Sequence, residues 1–245
     1  MSLAWPVYQL GATDSTNSEA KRRVATGAFV DCWLVAESQS SGRGRLQKSW
    51  VSPAGNLFAT ALFREPGGLV VASRMPFASA LAVSDVALLF APEADVRLKW
   101  PNDVRIDGAK LSGILIETGG SGAETWVAAG IGINVMHAPD AAGQRAASIS
   151  TLRGDLAVTT DMVLEALRKA FAQRLIQSHE GFDGLRRNWL ERAEGLGGTV
   201  RVTASGTPVE GVFEDMDMSG ALVLRLPDGA RQTIRAGDVD LIGRV

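Results

Sequence analysis

Arg43, Arg45 and Lys48 lie within six residues of one another in the segment Ser41-Gly42-Arg43-Gly44-Arg45-Leu46-Gln47-Lys48-Ser49-Trp50. Glycines at 42 and 44 let the backbone approach a ligand closely. Arginine offers a planar fork that matches a carboxylate or a phosphate. A loop of this composition can close over an anionic ligand. A solvated basic loop is the ordinary alternative. A nucleic-acid contact is a third reading, weakened because Trp50 is the one aromatic residue nearby.

Three further segments carry polar groups that could meet a ligand. Lys99-Trp100-Pro101-Asn102-Asp103 ends a strand pattern at a proline, which removes a backbone donor. Asn102 and Asp103 then face a ligand or form an Asx turn. Lys110 enters the apolar run Leu111-Ser112-Gly113-Ile114-Leu115-Ile116. An ammonium there either snorkels from the strand edge or faces a bound anion, since burying it unpaired is costly. Asn134 follows Gly130-Ile131-Gly132-Ile133 and is a strand terminator or a ligand contact. The third glycine of a dinucleotide fingerprint is missing, and no GxxxxGK[ST] phosphate loop or GxSxG elbow occurs. His137 and His179, the two histidines, have no ligands at zinc spacing.

The elements that must position these residues are legible in outline. Thr16-Asn17-Ser18-Glu19 has the capping-box pattern, with Thr16 as N-cap of a helix running to about Thr26 and stopping at Gly27. Strands are predicted over 32–37, 56–63, 96–100, 104–106, 110–117 and 126–135, with Asp107-Gly108 as a hairpin turn. A helix is predicted over 73–90. Residues 38–56 read as a loop, and 137–150 as a mobile, Ala-, Gly- and Ser-rich one. Val163, Leu167, Phe171 and Leu175 mark one helical face, and a second helix follows at about 182–193. After Gly195, Gly197 and Gly198 come five short strands, at 199–203, 209–214, 222–226, 232–234 and 239–242. They suggest a small β-barrel appended to an α+β domain. The division predicted is 1–194 and 195–245.

A chain of 245 residues with 46% hydrophobic and 21% charged residues is an ordinary globular composition. The net charge of -2 gives no global signal of a nucleic-acid surface. A single cysteine, Cys32, lies in an apolar run and reads as a buried thiol in a reducing compartment. No signal peptide is visible, and no window approaches the roughly 18 apolar residues of a membrane span. A cytoplasmic protein without membrane contact is expected.

The order and spacing of these motifs resemble the biotin protein ligase family, which is similar in fold to class II aminoacyl-tRNA synthetases and lipoate ligases. The matching pieces are Asp14-Ser15-Thr16-Asn17, Ala36-Glu37-Ser38-Gln39, Gly42-Arg43-Gly44-Arg45 with Trp50, Lys99 to Asp103, Lys110 to Leu115, and Gly130 to Asn134. The likeness covers about residues 8–190 and extends weakly beyond. It implies a mixed sheet of class II synthetase type flanked by helices, with an SH3-like barrel at the C-terminus. It implies ATP-dependent ligation of biotin to a lysine through biotinyl-5′-AMP, on the biotin carrier domain of an acyl-CoA carboxylase.

By that resemblance Ser15, Thr16 and Gln39 hydrogen-bond the ureido ring of biotin, and Asn17, Gly42, Gly44 and Gly113 belong to the same site. Arg43 and Arg45 order over the biotin carboxylate and the adenylate phosphate. Lys110 binds both of those anions. Trp50, Asn102 and Asn134 touch the adenylate, and Asp103 orients the carrier lysine. Magnesium comes with the ATP phosphates and has no ligand set on the protein. The family often has arginine where Lys48 stands. Longer members carry an N-terminal DNA-binding domain; the ligase motif here begins at Asp14, so operator binding is not expected. The resemblance allows a homodimer. A lipoate or octanoate ligase and a non-catalytic biotin sensor are the competing functions. The first would not need the polar cluster, and the second would have lost Lys110 or the arginine loop.

Overall fold

A computed structural model describes residues 4–27, 29–139, 145–153, 157–203 and 207–242. In chain order the first elements are β1 (Val7–Gln9), β2 (Ala12–Thr13), α1 (Thr16–Ala25), β3 (Cys32–Ala36), β4 (Ser38–Gln39) and β5 (Leu57–Arg64). Next come α2 (Gly68–Ala72), α3 (Met75–Phe90), β6 (Val96–Lys99), β7 (Asp103–Ile106), β8 (Ala109–Gly119), β9 (Trp126–Ile133) and α4 (Ile149–Arg153). The chain continues with α5 (Thr160–Glu180), α6 (Phe182–Glu191), β10 (Thr199–Thr203), β11 (Val209–Met216), β12 (Leu222–Arg225), β13 (Arg231–Ile234) and β14 (Asp238–Leu241).

The main sheet has seven strands in the order β1-β3-β5-β9-β8-β7-β6. Its β1–β3 pair is parallel and the others are antiparallel, so the sheet is mixed. β3 is apolar at every position because both of its faces are covered. Cys32 and Leu34 pack with Ala20 and Val24 of α1 on one face. Trp33 and Val35 turn to the other face, where α3, α5 and α6 lie. The face predicted on α5 is the one that packs: Val163, Leu167, Phe171 and Leu175 are all buried. Both residues of the Asp107-Gly108 turn have positive φ, +49° and +74°, as a two-residue hairpin of this twist requires.

Two expectations are corrected. Residues 68–90 are long and apolar enough to cross a membrane by length and composition. They form two helices, and the stretch is mostly buried because α3 is enclosed by the sheet, α5 and α6. The capping box does not form. Ser15 is the N-cap and its side chain makes no cap bond. The Thr16 hydroxyl is engaged by Gln39 and Thr60 instead, and Glu19 pairs with Arg22 and Arg23. Of the segment read as mobile, 140–144 lies outside the described residues. Residues 145–147 are hydrogen-bonded to both sides of Lys110, at Arg145 O and Ala147 N.

The C-terminal strands form an antiparallel sheet in the order β13-β12-β11-β10-β14, consistent with a small SH3-like unit. Its apolar residues alternate, as in β10, where Val200 and Val202 point inward. Val200, Phe213 and Leu224 join the same core as α3 and α6. One tie at the junction is Trp100, whose buried indole Nε1 donates to Gly220 O at 3.0 Å. Trp100→Phe keeps most of the ring and strands that carbonyl. It should cost about 1–2 kcal/mol in urea unfolding; an unchanged midpoint would mean the bond does not hold the two sheets together.

Candidate active site

The start of α1 is pinned from below by buried polar contacts. Ser15, Thr16 and Asn17 are all nearly inaccessible. Asp14 accepts from Ser15 N at 2.7 Å and is held by both nitrogens of the Arg22 fork. That guanidinium keeps the Asp14 carboxyl far below the usual carboxylate range. Gln39 Oε1 accepts from Thr16 N at 2.9 Å, and Gln39 Nε2 donates to Ser52 Oγ at 3.0 Å. Asn17 Nδ2 donates to Leu115 O at 3.2 Å and to Glu117 Oε2 at 3.0 Å, while its Oδ1 lies 2.7 Å from the Thr60 hydroxyl. Neutral donors and acceptors thus line a cavity of about 760 Å³.

The glycine-arginine segment is more ordered than a loop reading implies. Gly44 N donates to Lys48 O at 2.7 Å and Trp50 N to Gly42 O at 2.9 Å, so the segment folds back on itself as a tight hairpin. Arg43 and Ser49 are bridged across it, and Leu46 sits at its tip with φ +53°. Trp50 comes off this hairpin and lies on Gly113 and Gly132, which are register partners in β8 and β9. A Cβ on Gly132 would stand 2.5 Å from Trp50 Nε1, so glycine is required for the indole to seat there.

Cations line the same cavity. Lys110 Nζ is 2.8 Å from Asp103 Oδ2 and sits 5.5 Å from the Trp50 ring centre. Arg43 reaches Ser18 Oγ at 3.2 Å and Glu117 Oε2 at 3.4 Å. Arg45 lines the same space. Among the described residues, Arg43 Nε, Arg45 Nη1 and Trp50 Nε1 are buried donors without a partner. Each such donor costs about 1–3 kcal/mol while it stays unsatisfied. A ligand with acceptor oxygens would relieve that cost.

Of the residues singled out from the sequence, Ser15, Thr16, Asn17, Gln39, Arg43 and Gly44 line the cavity. So do Arg45, Trp50, Asn102, Asp103, Lys110 and Gly113. Asn102 Nδ2 is also tied to Ile114 O at 2.6 Å, which fixes the Lys99–Asp103 segment onto β8. Two expected contacts stand elsewhere. Gly42 is buried under Trp50 O and Ser52, with space for no side chain. Asn134 lies behind the lysine, donating to Lys110 O at 3.3 Å and set against Asn56. It braces β8 from outside the cavity.

Sequence reading missed Lys99, Gly130 and Gly132 as wall residues, together with Asp238 and Asp240 of β14. The glycines had a signal: alternate positions of one strand face the same way. The two aspartates had none, since the docking of the C-terminal sheet brings them to the cavity. Asp238 meets Lys48 Nζ at 2.6 Å and Asp240 meets Lys99 Nζ at 3.5 Å.

Comparison with known proteins matches residues 13–134 to the biotin/lipoate A/B protein ligase family and residues 195–242 to the biotin protein ligase C terminal domain. The chain is 40% identical over 237 residues to a biotin--[acetyl-CoA-carboxylase] ligase of Paracoccus denitrificans, covering 94% of this chain and 98% of that one. It is 34% identical to the ligase of the same name from Mycobacterium tuberculosis, covering 93% of this chain and 85% of that one. Among solved structures, it is similar to the biotin protein ligase of Aquifex aeolicus in complex with biotin and ATP. The TM-score is 0.80 at 25% identity, over 96% of this chain and 98% of that one.

Proposed function

The chain belongs to the biotin/lipoate A/B protein ligase family, and from that membership we infer that it is a biotin protein ligase, joining biotin to a carrier-protein lysine at the expense of ATP. The observation that carries this reading is one cavity that joins a neutral polar cluster to a set of cations. Ser15, Thr16 and Gln39 suit the ureido ring of biotin, and Arg43, Arg45 and Lys110, which line the same cavity, suit carboxylate and phosphate. Arg43 and Arg45 still carry buried donors that lack acceptors.

The reaction follows from the charges. A biotin carboxylate oxygen attacks the α-phosphorus of ATP, and pyrophosphate leaves. Two anions must approach, and cations fixed at that point stabilise the charge that builds in the transition state. Lys110 then trades Asp103 for the reacting oxygens. The freed Asp103 carboxylate can orient the incoming carrier ammonium, which loses a proton before its nitrogen attacks the carbonyl carbon and AMP leaves. Trp50 and the hairpin shield the mixed anhydride from water. Magnesium would enter on the phosphate oxygens, offsetting their charge. The same reading takes the carrier to be the biotin domain of an acyl-CoA carboxylase, the location to be the cytoplasm and the enzyme to act as a homodimer. It divides the chain into a catalytic unit, 1–194, and a smaller one, 195–245.

A lipoate ligase is the alternative within the family, and the polar cluster disfavours it: an aliphatic acid has no ring donors or acceptors to use the Ser15, Thr16 and Gln39 groups that line the cavity. Biotin with ATP should raise the melting temperature, by the equivalent of about 2.7 kcal/mol at a hundred times Kd. Lipoate should not. The direct test is incubation with biotin, Mg-ATP and a carrier domain, read by mass spectrometry. One added biotin on one lysine, with pyrophosphate released, is the expected result; lipoate transfer instead would overturn the reading.

A further inference from the structure

We propose that Asp238 is a positioning residue, which through Lys48 ties the glycine-arginine hairpin to the C-terminal sheet and so sets how well the hairpin holds nucleotide and biotin. The proposal rests on the ligase reading above. Its first support is geometric. Lys48 Nζ and Asp238 Oδ2 are 2.6 Å apart, although 190 residues separate them in sequence. Lys48 sits on the returning limb of the hairpin, and its carbonyl accepts from Gly44 N. The neighbouring Ser49 is bridged to Arg43. Whatever fixes Lys48 therefore also fixes the limb that carries Arg43 and Arg45.

Asp238 is a firm anchor. It opens β14, which pairs with β10 through Asp238 and Thr203, Val239 and Val202, and Asp240 and Arg201. Burial pushes its carboxyl up, but the hydrogen bond from Lys48 and the positive charges of Lys48, Arg45 and Lys99 outweigh that and hold it below the usual carboxylate range. It is ionised at neutral pH. Asp240, two residues on along β14, faces Lys99. The C-terminal strand thus supplies one carboxylate to the hairpin and one to the Lys99–Asp103 segment.

The division of labour between the hairpin cations follows. Arg45 Nη1 is buried and unpartnered, free to take an anion. The Lys48 side chain is 62% exposed and already paired, so it serves as a tether. A compact ammonium is enough to meet a single carboxylate oxygen, whereas a phosphate clamp favours the arginine fork. That accounts for lysine where the family pattern often has arginine.

The pair is largely exposed, so its removal should have a moderate effect, of about threefold to fivefold. Asp238→Asn should raise KM for ATP and for biotin by about that factor, with kcat within twofold. Backbone amide exchange of residues 43–50 in the ligand-free protein should quicken. The swapped pair Lys48→Asp/Asp238→Lys should restore most of both, while each single swap is worse than Asp238→Asn. Glu210→Gln breaks the exposed Arg201–Glu210 pair on the same sheet and should leave KM unchanged. If Asp238→Asn shows wild-type KM and exchange in an enzyme that makes biotinyl-AMP, the tether is wrong. A raised KM that the swap fails to rescue, with unchanged exchange, also refutes it. Failure of the wild type to make biotinyl-AMP would refute the ligase reading instead.

Discussion

Lys110→Ala should lower the rate of pyrophosphate release with biotin and ATP by about a hundredfold to a thousandfold, while the melting temperature stays close to that of the wild type. Lys110 stands on β8 with a side chain about a quarter exposed, so its loss opens no void in the core. What is lost is the charge at the point where carboxylate and phosphate must meet. The effect has a second component. Asp103, 2.8 Å away, becomes a nearly buried carboxylate without its partner and repels the same anions. Removing both should therefore be less damaging than the separate effects multiplied: Lys110→Ala/Asp103→Ala should form adenylate no more slowly than Lys110→Ala. Single-turnover measurement of biotinyl-AMP separates this step from transfer. Near-normal adenylate formation by Lys110→Ala would remove the lysine from the mechanism.

Gly130→Ala should cost about 3 kcal/mol of folding stability and impair biotin binding as well. Gly130 lies in the middle of β9, and a methyl group there would stand 2.9 Å from Asn17 Cγ, with the amide oxygen closer still. Asn17 has no room to yield. It is buried, and its amide is shared among Thr60, Leu115 and Glu117. Displacing it leaves several buried polar groups without partners and tilts the first turn of α1, which carries Ser15 and Thr16. Urea unfolding and biotin titration check the two effects. The double variant Gly130→Ala/Asn17→Ala relieves the clash but still lacks the Asn17 amide, so it should regain only part of the stability and none of the affinity. A Gly130→Ala protein as stable as the wild type would show that the strand can shift to admit the methyl.

How far this site was readable from the sequence depends on how local its causes are. The Asp107-Gly108 turn and the buried face of α5 answer to neighbours a few residues away, and both were legible. Lys110 stood out because an ammonium in an apolar strand demands a partner; the partner, Asp103, comes from the adjacent strand of the same hairpin. The helix start was misjudged for the opposite reason. Thr16 carries the local capping pattern, but its hydroxyl is claimed by Gln39 and Thr60 from distant segments. The segment 38–56 looked irregular because β4 pairs with β2 and the arginine hairpin closes on itself without periodic apolar residues. Asp238 and Asp240 sit in a short polar strand whose meaning comes entirely from where its sheet docks.

Gly220 has a wider implication for how such enzymes diversify. The ring of Phe77 lies so close that a Cβ on Gly220 would be 2.5 Å from Phe77 Cζ, and the carbonyl of the same glycine receives the Trp100 indole. The C-terminal sheet is therefore fitted to the larger unit at a bare backbone corner, in addition to its ion pairs. Chimaeras that graft the last fifty or so residues of one relative onto another will inherit a matched seam only when that corner, its facing phenylalanine and its tryptophan travel together.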